Sequence, residues 1–231
     1  MSRAVFRAVL SSVAAIGLAL TLGSAPATAK GGKHPDMMLG PGEANVHGLG
    51  NEALIRKNKW GYVYIAGKHD SHITITYDKA TNSLTYADTG TKKLLSIPQG
   101  CDRLKVRKGI AAVCKVPAAF DSKKFFVQVW PRLGNDWLDA HTLSPHFRVW
   151  ALMDDGKDTV YLGKGNDFVN GAMGPDWIYG GKGNDLMRTG KGNDHLWGGE
   201  GRDRLSCAEN FDVAHWGPGD SFYQCEKRIK S

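Results

Sequence analysis

Residues 180–205 read GGKGNDLMRTGKGNDHLWGGEGRDRL, with Gly-x-Asp recurring three times at one fixed interval. Working outward, aspartate stands at 158, 167, 176, 185, 194, 203 and 212, nine residues apart each time. Glycine precedes the first six of these by two positions, at Gly156, Gly165, Gly174, Gly183, Gly192 and Gly201. An apolar side chain follows each aspartate by two: Val160, Val169, Ile178, Met187, Leu196, Leu205 and the small Ala214. Residues 180–188 and 198–206 satisfy the whole pattern Gly-Gly-x-Gly-x-Asp-x-apolar-x, and Gly134-Asn135-Asp136-Trp137-Leu138 is a fainter echo upstream. A unit of this kind is a turn followed by a very short strand with one inward apolar residue. A fixed short period predicts a solenoid.

Two units make one coil, so successive turns fall on opposite sides of a flattened tube. Asp158, Asp176, Asp194 and Asp212 then line one edge, and Asp167, Asp185 and Asp203 the other. Parallel strands stack about 4.8 Å apart, so each edge is a column of like charges that repel by several times thermal energy in a protein-like dielectric. A cation between them relieves the repulsion. Glycine carbonyls and aspartates offer only oxygen, the donor set of Ca²⁺, whereas zinc and copper prefer the His or Cys that these turns lack. Several calcium ions are therefore expected.

Residues 153–220 resemble the hemolysin-type (RTX) calcium-binding repeats. The resemblance implies a parallel β-roll in which an ion sits between turns one coil apart, bound by the aspartate of each and by carbonyls of the glycine-rich loop. Carried onto this sequence, the pair that fits best is Asp185 with Asp203, followed by Asp167 with Asp185 and Asp176 with Asp194; Asp158 belongs to the same set. The loop ligands it implies are Gly163, Gly165, Gly181, Gly183, Gly190, Gly192, Gly199 and Gly201. Asp155-Gly156-Lys157 lacks the leading glycines, Asn210-Phe211 replaces Gly-x before Asp212, and Ala172 and Pro175 depart from the pattern before Asp176. The whole chain is also similar to small secreted actinobacterial calcium-binding proteins, in which a β-rich region with a close cysteine pair precedes the repeats; Ser206-Cys207, Gly217-Pro218-Gly219-Asp220-Ser221 and Cys225-Glu226-Lys227 stand in the places of their closing motifs. Unlike RTX toxins and proteases, this chain has an N-terminal signal and cysteines, so lytic or proteolytic activity is not carried over.

The rest of the chain supplies context. Arg3 and Arg7, an apolar run from Val9 to Leu22 and Ala27-Thr28-Ala29 read as a secretory signal peptide, residues 1–29, which makes the product extracellular. No other run is long enough to span a membrane. Residues 30–50 read as a flexible leader, and 51–124 as a β-rich N-terminal unit of short alternating runs such as "HITITYD" and "FFVQVW" nearby. A β-roll follows over 125–220, with degenerate first coils and clear repeats at 153–215, and 221–231 form a cap. The fold class is all-β, with three to five coils. Cys101, Cys114, Cys207 and Cys225 allow three pairings; the near-neighbour one, Cys101–Cys114 and Cys207–Cys225, closes two short loops and needs least long-range order. Stacked coils would set Cys207 and Cys225 about 5 Å apart, within disulfide reach.

Charge is uneven. The chain carries +7, yet residues 153–220 hold 12 acidic against 7 basic residues. The basic remainder, including Arg103, Lys105, Arg107 and Lys108, raises an anionic envelope polymer as an alternative partner, and an adhesin as an alternative function. Outward positions Tyr161, Trp177, Tyr179, Trp197 and His215 form an aromatic stripe; it either packs against the N-terminal unit and upstream coils or offers a platform to a polysaccharide or protein. The opposite face offers Phe168, Asn170, Leu186, Arg188 and Arg204. His-Glu-x-x-His and Gly-x-Ser-x-Gly are absent, so no catalytic residues are assigned and the chain is not read as an enzyme. No nucleic-acid partner is indicated, and a monomer is expected.

Overall fold

The computed structural model describes residues 49–121 and 124–231. The segment read as a signal peptide and, apart from Leu49 and Gly50, the one read as a leader lie outside the described residues. The first seven strands are β1 (Glu52–Lys57), β2 (Gly61–Ile65), β3 (His72–Asp78), β4 (Ser83–Asp88), β5 (Lys93–Leu94), β6 (Cys101–Leu104) and β7 (Ile110–Lys115). Twelve follow: β8 (Phe125–Trp130), β9 (Trp137–Asp139), β10 (Phe147–Leu152), β11 (Thr159–Tyr161), β12 (Phe168–Asn170), β13 (Trp177–Tyr179), β14 (Leu186–Arg188), β15 (His195–Trp197), β16 (Arg204–Ser206), β17 (Val213–Trp216), β18 (Ser221–Tyr223) and β19 (Lys227–Lys230). The only helical element among the described residues is one 3-10 turn, Ala118–Phe120.

From β8 onward the chain winds as a parallel solenoid of six coils. Even-numbered strands stack in one sheet, in the order β18-β16-β14-β12-β10-β8, and odd-numbered strands in the other, β19-β17-β15-β13-β11-β9. The register is the one the sequence period demands: Val169 stands beside Met187 and Met187 beside Leu205, while Val160 leads to Ile178 and Leu196 on the facing sheet. Each repeat strand places one side chain inward, and these central residues are fully buried. One such side chain contributes about 1.5–3 kcal/mol, far less than the roughly 1–2 kcal/mol per residue needed to order nine residues of backbone. A coil therefore holds its shape only against its neighbours.

The count of three to five coils is corrected to six. In the first two coils the turns before β8 and β10 lack the glycine-aspartate unit, so Val127, Val129, Val149 and Ala151 fill the core without its signature, and an insertion between β9 and β10 breaks the period. The last coil is hidden for a similar reason. Residues 221–231 contain β18 and β19, which pair in parallel with β16 and β17.

Upstream, β2 pairs in parallel with β8, and β3 with β9, so both sheets run on without a break. Beyond them β1 pairs antiparallel to β2 with the short β5 parallel to β1 on one sheet, and β4, β7 and β6 follow in antiparallel order on the other. Strands β6 and β7 form a hairpin, and the first expected bridge, Cys101–Cys114, joins them. The second expected bridge, Cys207–Cys225, joins the last two coils with its Cα atoms 5.1 Å apart.

The aromatic stripe stacks along the outer face of the odd-numbered sheet and continues onto the upstream coils, where Tyr161 meets Trp137 at 5.1 Å and Trp137 meets His72 of β3 at 5.3 Å. Tyr161, Tyr179, Trp197 and His215 lie 4.6, 4.4 and 4.7 Å apart with their planes within 14° of parallel. Trp177 and His195 form a second stack beside them.

Candidate metal-binding edges

In every repeat the aspartate ends the turn just before its strand, and its carboxylate folds inward beneath the loop. One oxygen is spent on the fold. Along the first edge the backbone N–H of Asp136 donates to Asp158 Oδ1 (2.8 Å), Asp158 to Asp176 (3.0 Å), Asp176 to Asp194 (2.9 Å) and Asp194 to Asp212 (2.9 Å). Along the second, Val149 donates to Asp167, Asp167 to Asp185, Asp185 to Asp203 and Asp203 to Asp220, each at 2.8 Å. The structure thus brings together the aspartates that the 18-residue coil predicts, Asp185 with Asp203 and Asp176 with Asp194, and keeps the two edges apart.

The second oxygen divides the aspartates into two groups. Oδ2 of Asp158, Asp176, Asp185, Asp194 and Asp203 is buried with no hydrogen-bond partner. Oδ2 of Asp167 instead accepts the N–H of Gly163 at 2.9 Å, and that of Asp212 accepts Ala208 N–H at 3.2 Å. Free ligand oxygens therefore lie in the interior of each ladder, while carboxylates nearer the ends are tied to backbone. Burying an unpaired carboxylate oxygen is costly, and such an atom repeated coil after coil points to a missing positive partner.

Electrostatics agree. Burial above all, with like charges beside it, pushes the Asp185 carboxyl up to about 9 and Asp158 to about 8. Burial likewise lifts Asp167 and Asp176 to about 7 and raises Asp194, Asp203 and Asp212.

Glycine keeps side chains off these oxygens. A Cβ at Gly180 would lie 2.9 Å from Asp185 Oδ2, and one at Gly198 would lie 2.7 Å from Asp203 Oδ2 and 2.9 Å from Asp220 Oδ2. A Cβ at Gly171 would collide with Asp176 Oδ2. Among the described residues no three His, Cys, Asp or Glu side chains converge as a ready cage. Any ion here must complete its shell from backbone carbonyls, which suits a hard cation of high coordination number. The residues present therefore fit calcium.

Sequence reasoning missed three members of the ladders. Asp220 ends the second edge, Glu226 ends the first by accepting the Asp212 N–H at 2.9 Å, and Ser71 begins it by donating its N–H to Asp136 Oδ1 at 2.6 Å. Asp220 and Glu226 stand off the nine-residue register, and Ser71 carries no carboxylate. The echo Gly134-Asn135-Asp136 was the one visible signal of an earlier start.

Outside the ligand shell the turns are tied together by position. Asn184 N–H donates to Asn166 Oδ1 and Arg202 N–H to Asn184 Oδ1, while Lys182 pairs with Glu200 across one coil at 2.7 Å. Several non-glycine residues of these turns are left-handed, Arg132 (+78°), Asp154 (+66°), Asn210 (+87°) and Ala172 (+71°); the residues matching Ala172 on the second edge are Gly181 (+87°) and Gly199 (+94°). Left-handed backbone costs an L-residue about 1–2 kcal/mol. Ala172→Gly should therefore raise the melting temperature of the calcium-loaded protein by about 2–4 °C, read by far-UV circular dichroism; a fall would mean that this turn is not held in that conformation.

Compared with known proteins, residues 154–178 and 170–205 match the RTX calcium-binding nonapeptide repeat, in four copies. No curated protein and no solved structure matches the chain significantly.

Proposed function

From the match of residues 154–178 and 170–205 to the RTX calcium-binding nonapeptide repeat, we propose that this is a secreted protein whose two carboxylate ladders hold calcium ions between successive coils, folding and stiffening the roll. The observation that carries the reading is the run of buried Oδ2 atoms without partners. Asp158, Asp176 and Asp194 serve one edge, and Asp185 and Asp203 the other, with carbonyls of Gly163, Gly165, Gly181, Gly183, Gly190, Gly192, Gly199 and Gly201 completing the shells. Asp167 contributes less, because Gly163 already occupies its second oxygen. Bound calcium supplies positive charge to carboxylates that otherwise repel; the chain itself supplies the spacing, the oxygens and the exclusion of water.

Secretion gives this arrangement a purpose. Two disulfides suit an oxidising compartment, and sites of about 10⁻⁴ to 10⁻³ M affinity would fill only outside the cell. At ten times its dissociation constant each ion contributes about 1.4 kcal/mol by linkage. A sugar-binding platform gains little support from the aromatic stripe, since the rings cover one another's faces and turn their edges outward.

Calcium titration of the purified protein tests the reading. Carboxyls raised to about 7–9 hold protons at neutral pH without metal, and ligands must lose them to bind. Adding calcium to a weakly buffered solution at pH 7 should release protons, and apparent affinity should weaken as pH falls. Asp185→Asn should remove the strongest site and lower the proton yield by about one. If chelator and calcium leave both pH and melting temperature unchanged, the central claim is wrong.

A further inference from the structure

The first edge does not begin with the repeats. Asp136 lies upstream of every residue matched to the repeat family, in a turn with Pro131 and Arg132 where that pattern has paired glycines. Its carboxylate nonetheless repeats the ladder geometry: Oδ1 accepts the N–H of Ser71 at 2.6 Å, and its own N–H donates to Asp158 Oδ1 at 2.8 Å. Ser71, Asp136 and Asp158 thus occupy three successive rungs, at the ends of the turns leading into β3, β9 and β11. These residues are 2, 2 and 0% exposed, and each has a buried oxygen without a hydrogen-bond partner: Ser71 Oγ, Asp136 Oδ2 and Asp158 Oδ2. Three orphaned oxygens and no orphaned nitrogen is a donor set for a hard cation.

The surroundings are negative. Asp70 and Asp88 act on Asp136, and Asp154 acts on Asp158 together with Asp176. Asp88 is no competitor for a metal, because its oxygens already accept from Tyr64 Oη (2.7 Å), His72 N–H (2.8 Å) and Gly90 N–H (2.8 Å). Asp70 is engaged as well, accepting Asn135 N–H at 2.8 Å. Arg132 acts on Asp154.

We infer that Ser71 Oγ, Asp136 Oδ2 and Asp158 Oδ2 form part of an additional calcium site outside the repeats, at the seam where β3 joins β9. It rests on the calcium reading of the repeat edges and extends it to residues with no repeat signature. An ion at that level bridges the coil of β2 and β3 to the roll, so that calcium orders the N-terminal strands as well as the glycine-rich turns.

The test is calcium stoichiometry of the full chain, by equilibrium dialysis and calorimetry, for the wild type, Asp136→Asn, Ser71→Ala, Ser71→Asp and, as a repeat control, Asp185→Asn. Asn at 136 keeps the Oδ1 acceptor for Ser71, and far-UV circular dichroism in calcium checks its fold. The expected result is one ion fewer for Asp136→Asn, a roughly 10-fold weaker ion for Ser71→Ala, and a tighter one for Ser71→Asp, an outcome that misfolding does not imitate. Unchanged stoichiometry in Asp136→Asn and unchanged affinity in both Ser71 variants, with Asp185→Asn still losing an ion, overturns this site and leaves the repeat reading intact. A wild type that binds no calcium overturns both.

Discussion

In chelator, the protein should melt at least about 10 °C lower at pH 8 than at pH 5, and calcium should reverse that order. The sign follows from the buried aspartates. An unfolded aspartate titrates near 3.8, whereas burial lifts Asp136, Asp167 and Asp176 to about 7, Asp158 to about 8 and Asp185 to about 9 in the fold. The native chain therefore holds more protons than the unfolded one across the interval between those values. Stability from these groups is complete below pH 3.8 and is lost as pH rises through 7 to 9. Asp88 works in the opposite direction. Burial pushes it up, but bonds from Thr91, Tyr64, His72 and Gly90 outweigh that and hold it below the usual range, so its contribution is lost in strong acid. The metal-free optimum should fall near pH 5. Calcium replaces protons on the raised carboxylates, so its stabilisation grows as they ionise. With several groups acting together, the shift is large for a chain of this size. A melting temperature in chelator that is flat or rises from pH 5 to pH 8 would sink the claim that these carboxylates are buried and unpaired.

The second large effect is expected from Gly183→Ala. Gly183 has φ +118°, which L-residues rarely adopt, and a Cβ there would overlap the carbonyl oxygen of Gly165 in the coil before it. Neither backbone can yield alone. Gly183 N–H is tied to Glu200 O at 2.8 Å, Asn184 N–H to Asn166 Oδ1 at 3.0 Å and Asp185 N–H to Asp203 Oδ1 at 2.8 Å. Strain and overlap together should exceed about 4 kcal/mol, the range reserved for severe backbone and packing faults. The expected result is loss of the cooperative transition of the roll at 37 °C even in saturating calcium, followed by near- and far-UV circular dichroism. A melting temperature within a few degrees of the wild type would show that coils do not stack in this register.

The aspartate period made the two edges legible because a solenoid converts sequence spacing directly into spatial adjacency. Asp185 and Asp203 could be paired from the numbers alone, and so could Cys207 and Cys225. Where the coil length departs from 18 residues that conversion fails. Asp136 stands apart from Asp158 because the chain between β9 and β10 is longer, and Asp220 and Glu226 sit in coils that are shorter. The coil of β2 and β3 was legible as strands but not as a coil. Its turns use no repeat glycine, and Ser71 fills the rung that aspartate fills elsewhere. The free and occupied Oδ2 atoms were equally hidden, since Asp167 and Asp185 look alike in sequence but differ in whether a loop N–H reaches them.

The Cys207–Cys225 bridge also fixes how the roll answers a mechanical load. Tension on the C-terminal end would pass from Cys225 to Cys207 through sulfur, so β17 and β18 between them carry none of it. Peeling from that end cannot lengthen the cross-linked loop, whose contour stays locked while the bond is intact. The first elements that force can strip lie outside it: β19, whose Lys227-Arg228-Ile229-Lys230 ladder is expendable, and then the interior coils around Asp203. A stack that would otherwise unzip strand by strand from its weakest edge is gripped one coil inward, among its buried aspartates.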